Sequence, residues 1–177
     1  IEGHVREELI GPTRPPQRVR ADRVWAQIWQ VPAARWDFTG PVIRGAGRTG
    51  YGVAELGVEA ESFIFEAEVT LTSGVAAGLM IRMTPHGGVF VGLDREMQAV
   101  LFSELPTPRF VEQRRYAVGE GRTVRLRIVQ RREFVEVYTD DELKLAFTRY
   151  QDAKGGVGLC VDRAEASFAN LRLRTLA

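Results

Sequence analysis

Carboxylates at strand-like spacing are the residues of this chain that most directly suggest catalysis. Glu66 and Glu68 alternate along one predicted strand, and Asp140, Asp141 and Glu142 form an acidic turn. Glycosidases need two acids about 5–9 Å apart across the scissile bond, and residues two apart in a strand share a face at roughly that separation. Glutamates that alternate along a strand are more often solvated, and an acidic triplet is more often a plain turn. The sequence therefore assigns no catalytic residue.

Other reactive side chains are few. His4 and His86 are too far apart in sequence to suggest a zinc site by their spacing, and His86 has no nucleophile context. Cys160 is the only cysteine and lies in an apolar run, so we expect a buried small hydrophobic residue and no internal disulfide. Asp94 and Asp162 fall at predicted strand ends, without the residue pattern of a calcium loop. No cofactor or metal is assigned, although calcium is left open.

Arg82 is the least ordinary polar residue, because it interrupts an apolar strand. Alternation predicts that it faces away from Leu79 and Ile81. On a curved sheet that face could be the concave one, where lectin-type sandwiches bind sugars. The alternative is an arginine paired with a strand glutamate. Arg82, Trp36 and the turn residue His86 are the candidate substrate-binding residues.

The three tryptophans fall near the start of the chain, at Trp25, Trp29 and Trp36. Exposed tryptophans could form a platform on which sugars stack. The alternative is that they pin the N-terminal segment against the sandwich or against a neighbouring domain, because tryptophan's large apolar area is usually buried.

Composition and charge exclude several classes of function. The 177 residues carry a formal charge of +1, with 45% hydrophobic and 27% charged residues. A chain so close to neutral produces no overall electrostatic field that would attract nucleic acid or an anionic membrane. No stretch approaches the roughly 18 apolar residues of a membrane helix, and no signal peptide is visible. The chain starts at Ile1 without a methionine, so we expect a fragment and assign no cellular location.

The glycine-rich stretch 40–57 resembles a phosphate cradle only in composition. It has no Lys-Ser/Thr after the glycines and no strand-then-helix context, which excludes the P-loop and dinucleotide interpretations. Short strands joined by tight turns explain it better.

The elements that must position these residues are strands, and residues 123–140 show this most clearly. Val124, Leu126 and Ile128 alternate with polar residues, and a predicted turn at 130–133 leads into a second alternating strand. Alternation of this kind indicates a half-buried antiparallel strand. The pattern continues through 143–147 and then through 157–161 and 167–173, which predicts a meander of four or five strands.

Further strands are predicted upstream of this meander. Residues 61–71 alternate, a turn is expected at Ser73-Gly74, and residues 77–84, 89–93 and 98–102 follow. About a dozen short strands without a convincing helix predict an all-β fold, an antiparallel two-sheet β-sandwich. Frequent glycine-containing turns between short strands are typical of a jelly roll of the lectin type. The Pro-rich residues 1–20 are predicted to be a connector, and 21–177 the sandwich domain.

Five segments resemble a known family: ESFIFEAEVTL, AAGLMIRM, GGVFVGLD, VRLRIVQRREFVEVYTDDELKLAFT and GGVGLCVDRAEASFANLRLR. They are similar to the concanavalin/laminin-G-like sandwich attached to glycoside hydrolases, and in particular to the C-terminal module of family 32, the invertase, levanase and fructosidase group. The closest part runs from Leu126 to Tyr138, and the likeness covers about Glu61 to Arg174, most of the chain.

The resemblance implies a non-catalytic role. In family 32 the catalytic acids lie in an N-terminal propeller with N-D-P-N, R-D-P and E-C motifs, none of which occurs here. The implied partners are the catalytic domain of a glycoside hydrolase and a glycan such as fructan. Three alternatives stay open: a free-standing carbohydrate-binding module, a sandwich glycosidase with its own carboxylate pair, and a protein-interaction module of the laminin-G kind.

Overall fold

The computed structural model describes residues 5–9, 34–150 and 152–176, the first of these ranges as backbone only. These residues form twelve β-strands, so the predicted all-β class is confirmed. The strands are β1 (Val5–Leu9), β2 (Arg35–Asp37), β3 (Ile43–Ala46), β4 (Tyr51–Ala60), β5 (Ser62–Thr84), β6 (Gly87–Asp94), β7 (Ala99–Leu105), β8 (Val111–Arg115), β9 (Thr123–Arg131), β10 (Phe134–Thr139), β11 (Glu142–Thr148) and β12 (Gly155–Leu176).

Two long central strands, β5 and β12, organise the sandwich. They pair with each other antiparallel along most of their length and take part in both layers. In the first layer, sheet A, the order is β11-β10-β9-β5-β12-β3-β2, with β1 also on β12. In the second layer, sheet B, the later half of β5 pairs with β6, which continues to β7 and β8, while the first half of β12 pairs with β4. All of these pairings are antiparallel, as predicted.

The predicted turn at Ser73-Gly74 is wrong. The chain passes from one sheet to the other there without reversing, so β5 is one strand of 23 residues. Gly74 makes this bend possible with a φ of +95°, and Arg163 with a φ of +44° bends β12 beside it. A Cβ at Gly74 would lie 2.1 Å from the carbonyl oxygen of Arg163, so the two paired strands approach each other here too closely for any residue but glycine.

The predicted meander is confirmed for β9, β10 and β11, which pair in sequence. Its expected continuation is wrong, because β12 leaves the meander to lie beside β5. The turn between β9 and β10 is also shorter than predicted, since Gln130 still belongs to β9 and is fully buried.

The core lies between the two sheets and follows the alternation of the sequence. Phe63, Phe65 and Leu71 of sheet A face Leu79 and Val91 of sheet B, all of them fully buried. A second buried apolar cluster includes Met80, Phe90 and Leu101. These residues alternate with core residues along their strands, so the cluster lies on the opposite face of sheet B.

One edge of the sandwich is closed by aromatic side chains. The rings of Phe102 and Phe147 meet edge to face with centroids 4.6 Å apart, and Phe110 contacts both. Because Phe102 belongs to sheet B and Phe147 to sheet A, these rings join the layers.

The first part of the chain is described only in part. β1 lies within the predicted connector and pairs with β12 from Val5↔Leu176 to Leu9↔Arg172. The strand predicted near residues 24–29, with Trp25 and Trp29, and the residue His4 lie outside the described residues. The predicted boundary at residue 20 stays a prediction.

Candidate binding site

A cavity of about 510 Å³ opens at one end of the sandwich, and we call it the end cavity. It lies where β5 turns into β6 and where β7 leads into the loop before β8. Its lining combines charged, hydroxyl and apolar groups: Arg82, Thr84, His86, Gly87, Gly88, Val89, Glu104, Leu105, Pro106, Thr107, Arg109 and Asp152. Two of the three predicted substrate-binding residues, Arg82 and His86, are therefore brought together here.

The predicted orientation of Arg82 is wrong, because the strand is irregular at this residue. Arg82 has a φ of +53°, and the register between β5 and β6 shifts between Ile81 and Thr84. The irregularity breaks the alternation, so Met83 joins Met80 in the cluster on the other face of sheet B. Arg82 instead reaches across the end of the sandwich toward sheet A.

The guanidinium of Arg82 is held by neutral partners. Its Nε donates to Oε1 of Gln130 at 2.8 Å and its Nη2 to the carbonyl oxygen of Arg132 at 3.3 Å. Its Cζ lies 5.9 Å from the ring centroid of Phe102, within cation–π range. The alternative considered from the sequence was a pair with a strand glutamate. Among the described residues no carboxylate lies within ion-pair distance of Arg82, and Glu104 of β7 acts on it only at longer range.

Burial lowers the pKa of the Arg82 side chain without removing its charge. Only 6% of Arg82 is exposed. Burial, and after it the nearby Arg149 guanidinium, lowers the pKa of Arg82 from its ordinary value. The side chain still carries its charge at neutral pH, since a guanidinium's pKa begins far above 7.

Gln130 fixes Arg82 from sheet A. Its Nε2 donates to the carbonyl oxygens of Glu61 at 2.7 Å and Ala153 at 2.9 Å, while its Oε1 accepts from Arg82. A fully buried amide with its groups satisfied in this way has one orientation only. The guanidinium is therefore pre-organised at the cavity wall.

Two carboxylates line the end cavity. Oε1 of Glu104 accepts from Arg149 at 2.8 Å from Nε and 2.6 Å from Nη2, and this pair joins the two sheets beside the aromatic edge. Arg149 also stacks over the ring of Phe110, with its Cζ 4.5 Å from the centroid. Asp152 is exposed, and its Oδ1 accepts from the backbone N–H of Lys154 at 3.3 Å.

The β5–β6 turn supplies the mouth of the cavity. The hydroxyl of Thr84 accepts from the backbone N–H of His86 at 3.2 Å. Gly87 lies against the opposite wall, where a Cβ would meet the carbonyl oxygen of Leu105 at 2.4 Å. Val89, Leu105 and Pro106 add apolar surface, so the cavity offers hydrogen-bonding groups over an apolar floor.

Trp36 lies elsewhere, at the β2 edge of sheet A. Its ring covers Gly45, where a Cβ would lie 2.6 Å from the indole, and it packs against buried Phe168 with ring centroids 5.9 Å apart. Its buried Nε1 has no hydrogen-bond partner among the residues that the structure describes. Trp36 lines a different cavity of about 490 Å³, the edge cavity, together with Arg35, Asp37, Arg44 and Glu165 among others.

The acidic residues considered for catalysis line neither cavity. Glu66 and Glu68 lie opposite Arg127 and Arg125 across β5 and β9, and Glu68 accepts from Asn170 at 3.0 Å. Asp141 binds the same two arginines. These carboxylates belong to a solvated, mixed-charge face of sheet A, the alternative considered from the sequence.

Cys160 is fully buried and free, as expected. Burial raises the pKa of its thiol well above the usual value, with a further contribution from Asp162.

In the described part of the chain, no group of three or more His, Cys, Asp or Glu side chains is placed to hold a metal ion. Calcium binding, which the sequence left open, is not tested by this. Nor do residues 5–9, 34–150 and 152–176 contain a helix suited to crossing a membrane.

The same fold occurs in solved structures of low sequence identity. The carbohydrate binding module CBM66 from Bacillus subtilis superposes with a TM-score of 0.69 at 19% identity, covering 78% of this chain and 91% of that one. A Bacillus subtilis protein of unknown function with a galectin-like fold gives 0.65 at 7% identity, covering 82% and 87%. The chain has a concanavalin- and galectin-like sandwich fold.

A third similar structure is the fructosyltransferase from A. japonicus, with a TM-score of 0.60 at 14% identity. The likeness covers 85% of this chain but only 27% of that one, so this chain spans about a quarter of the fructosyltransferase. No protein-family model matches the chain, and no curated protein matches it significantly.

Several residues of the end cavity were missed from the sequence. Glu104 and Asp152 were in segments without a recognisable pattern, and Arg109 was assigned to a weak strand over 109–118. Gln130, which holds Arg82 at the cavity wall, was assigned to a polar turn. The one signal was a charged residue inside an apolar strand at Arg82. Its partners come from elsewhere in the chain, which no local pattern encodes.

Proposed function

We propose that this chain is a non-catalytic β-sandwich module that binds a glycan in the end cavity. The observation that carries the proposal is the cavity itself, where the fixed guanidinium of Arg82 lies near His86, Thr84 and Glu104. Polar groups that converge over an apolar floor are what a ligand rich in hydroxyl groups requires. The similarity in fold to a carbohydrate binding module supports the same function.

The finer proposal is that the module is an accessory domain of a glycoside hydrolase related to family 32. The five sequence segments and the fold likeness to part of a fructosyltransferase support it. Such a module stabilises the catalytic domain and helps to hold its glycan. An antibody against this chain should then detect, in the source cells, a protein much larger than 177 residues that carries hydrolase activity. Detection of the chain alone, without such activity, would favour a free-standing module.

A glycan screen with the isolated chain tests the binding function. The screen includes fructans and is run with and without calcium. We expect binding that is lost in Arg82→Ala and kept in Arg44→Gln, a change on the surface of the edge cavity. Binding that is lost instead when the edge cavity is altered would place the site at Trp36. If no glycan in the screen binds, glycan binding is contradicted and only the structural accessory role is left.

A glycosidase is the second candidate function, because Glu104 and Asp152 both line the end cavity. Glu104 is already engaged by Arg149, an arrangement typical of a structural ion pair. Turnover of fructans or aryl glycosides by the purified chain, lost in Glu104→Gln, would establish the glycosidase. We expect no turnover.

A further inference from the structure

Arg82 is a buried cation with no carboxylate within ion-pair distance among the described residues. Its two hydrogen bonds go to an amide and a carbonyl oxygen, both neutral groups, through Nε and Nη2. No hydrogen bond from its Nη1 is found among the described residues. A guanidinium has five N–H donors in a planar fork, so capacity for a further partner is left over at the wall of the end cavity.

The acids near Arg82 act on its charge only from beyond ion-pair distance: Glu104, Glu133 and Asp152 favour the charged form, and the nearby Arg149 opposes it. Glu104 is within ion-pair distance of Arg149 instead, and the proximity of Arg149 adds to the positive charge felt by Arg82. Asp152 lies at the exposed rim, in water. Arg109 is a second guanidinium in the lining. The lining thus holds two guanidinium groups and two carboxylates, and Arg82 is the buried one of these charges, with no ion-pair partner among the described residues.

A positive charge held away from water interacts strongly with an anion that enters beside it. Coulombic attraction grows as the effective dielectric falls, and desolvation of Arg82 has already occurred on folding. A planar carboxylate matches the fork of a guanidinium with two parallel hydrogen bonds. A neutral hydroxyl group would leave Arg82 without an ion-pair partner.

We propose that the end cavity binds an acidic sugar, a uronic acid residue of a glycan, whose carboxylate pairs with Arg82. This inference rests on the proposed glycan-binding function and names the class of sugar. The cavity of about 510 Å³ lies within the roughly 300–1,000 Å³ of ligand sites. The hydroxyl group of Thr107 also lines the cavity and can bond to the sugar ring.

Calorimetric titration with matched sugar pairs tests this. The pairs are the methyl glucuronide and glucoside, the galacturonide and galactoside, and the mannuronide and mannoside, with neutral fructan oligosaccharides and a sulfated monosaccharide as further ligands. Hydrogen bonds to charged groups are about twice as strong as neutral ones. We expect at least one uronide to bind about tenfold more tightly than its neutral partner, and more weakly as salt increases.

Variants assign the preference to Arg82. In Arg82→Gln the ratio of uronide to neutral affinity should fall close to one, and in Arg82→Lys, which keeps the charge, part of it should remain. Arg44→Gln should leave the ratio unchanged. The wild-type ratio is informative by itself if a variant fails to fold.

The other outcomes overturn the inference in distinguishable ways. A neutral sugar or fructan that binds as tightly as every uronide would refute the acidic ligand and leave glycan binding intact. Tighter binding of the sulfated sugar would refute the carboxylate. No binding of any ligand would refute the proposed function as well.

Discussion

At the scale of single residues, Arg82 depends on a backbone irregularity and one buried amide. Its φ of +53° turns the side chain from the outer face of sheet B toward Gln130 of sheet A. The sequence indicated that Arg82 was unusual, because a charge interrupted an apolar strand. It could not indicate the irregularity, since left-handed backbone at a non-glycine residue is set by tertiary contacts.

Gln130→Met should be strongly destabilising. The change removes the acceptor for Arg82 and the donor to two backbone carbonyls, Glu61 and Ala153. Buried groups left without partners cost about 1–3 kcal/mol each, so we expect a loss of about 3 kcal/mol in the free energy of unfolding, measured by chemical denaturation. Gln113→Met, on the exposed side of β8, is the control and should change little. A loss below about 1 kcal/mol in Gln130→Met would contradict this role.

Cys160 should be inert in the folded protein. Full burial removes access and raises the pKa of the thiol, so the reactive thiolate is scarce. A thiol reagent added at neutral pH should modify Cys160 only in denaturant, as followed by mass spectrometry. Rapid modification of the native chain would show that the cluster on this face of sheet B opens readily.

At the scale of elements, the alternation of apolar and polar residues predicted most strands. Several of the connections between them were predicted wrongly. The run from Thr123 to Thr148 alternates regularly, so its three strands followed directly from the pattern. Ser73-Gly74 has the composition of a turn, yet Gly74 bends a continuous strand. Local sequence does not distinguish a reversal from a bend, because the choice depends on whether β12 lies alongside.

Gly74→Ala should cost more than a change at an uncrowded glycine. Its Cβ would clash with the backbone of Arg163 and Ala164, at 2.1 and 2.5 Å. Gly57 also has a positive φ, of +74°, but a Cβ there meets nothing within 4 Å. We expect Gly57→Ala to lose about 1–2 kcal/mol from backbone strain alone and Gly74→Ala clearly more, by denaturant unfolding. Equal losses would show that β5 and β12 are not tightly packed at Gly74.

At the scale of the whole molecule, the sequence predicted the sandwich fold but only part of the binding site. Burial alternates in sheet A, along the first half of β5 and along β9, because period-two patterning is encoded locally, whereas β6 and β7 of sheet B are buried on both faces. The end cavity is assembled from β5, β7, the β5–β6 turn and the segment before β12, so its composition depends on how the sheets stack. Trp36 was grouped with Arg82 from residue type alone, and the fold places it against Phe168 at another edge.

Stability should fall at alkaline pH through Tyr51. Burial, followed by the charge of Asp162, raises the pKa of this phenol from 10.0 to about 12 in the folded state. The unfolded chain therefore releases the proton first, so stability is full below pH 10 and decreases between pH 10 and 12. Denaturant titrations across this range should show a shallower decrease for Tyr51→Phe than for the wild type. Identical slopes would contradict the assignment.

The central claim is that a glycan binds in the end cavity, and mapping of backbone amide shifts by NMR tests it most directly. The isolated chain is titrated with the tightest ligand from the glycan screen. The account predicts shifts concentrated at residues 82–89, 104–109 and 152–154, with Gln130 included and the region around Trp36 unchanged. Shifts centred on the edge cavity, or no saturable shifts at all, would contradict it.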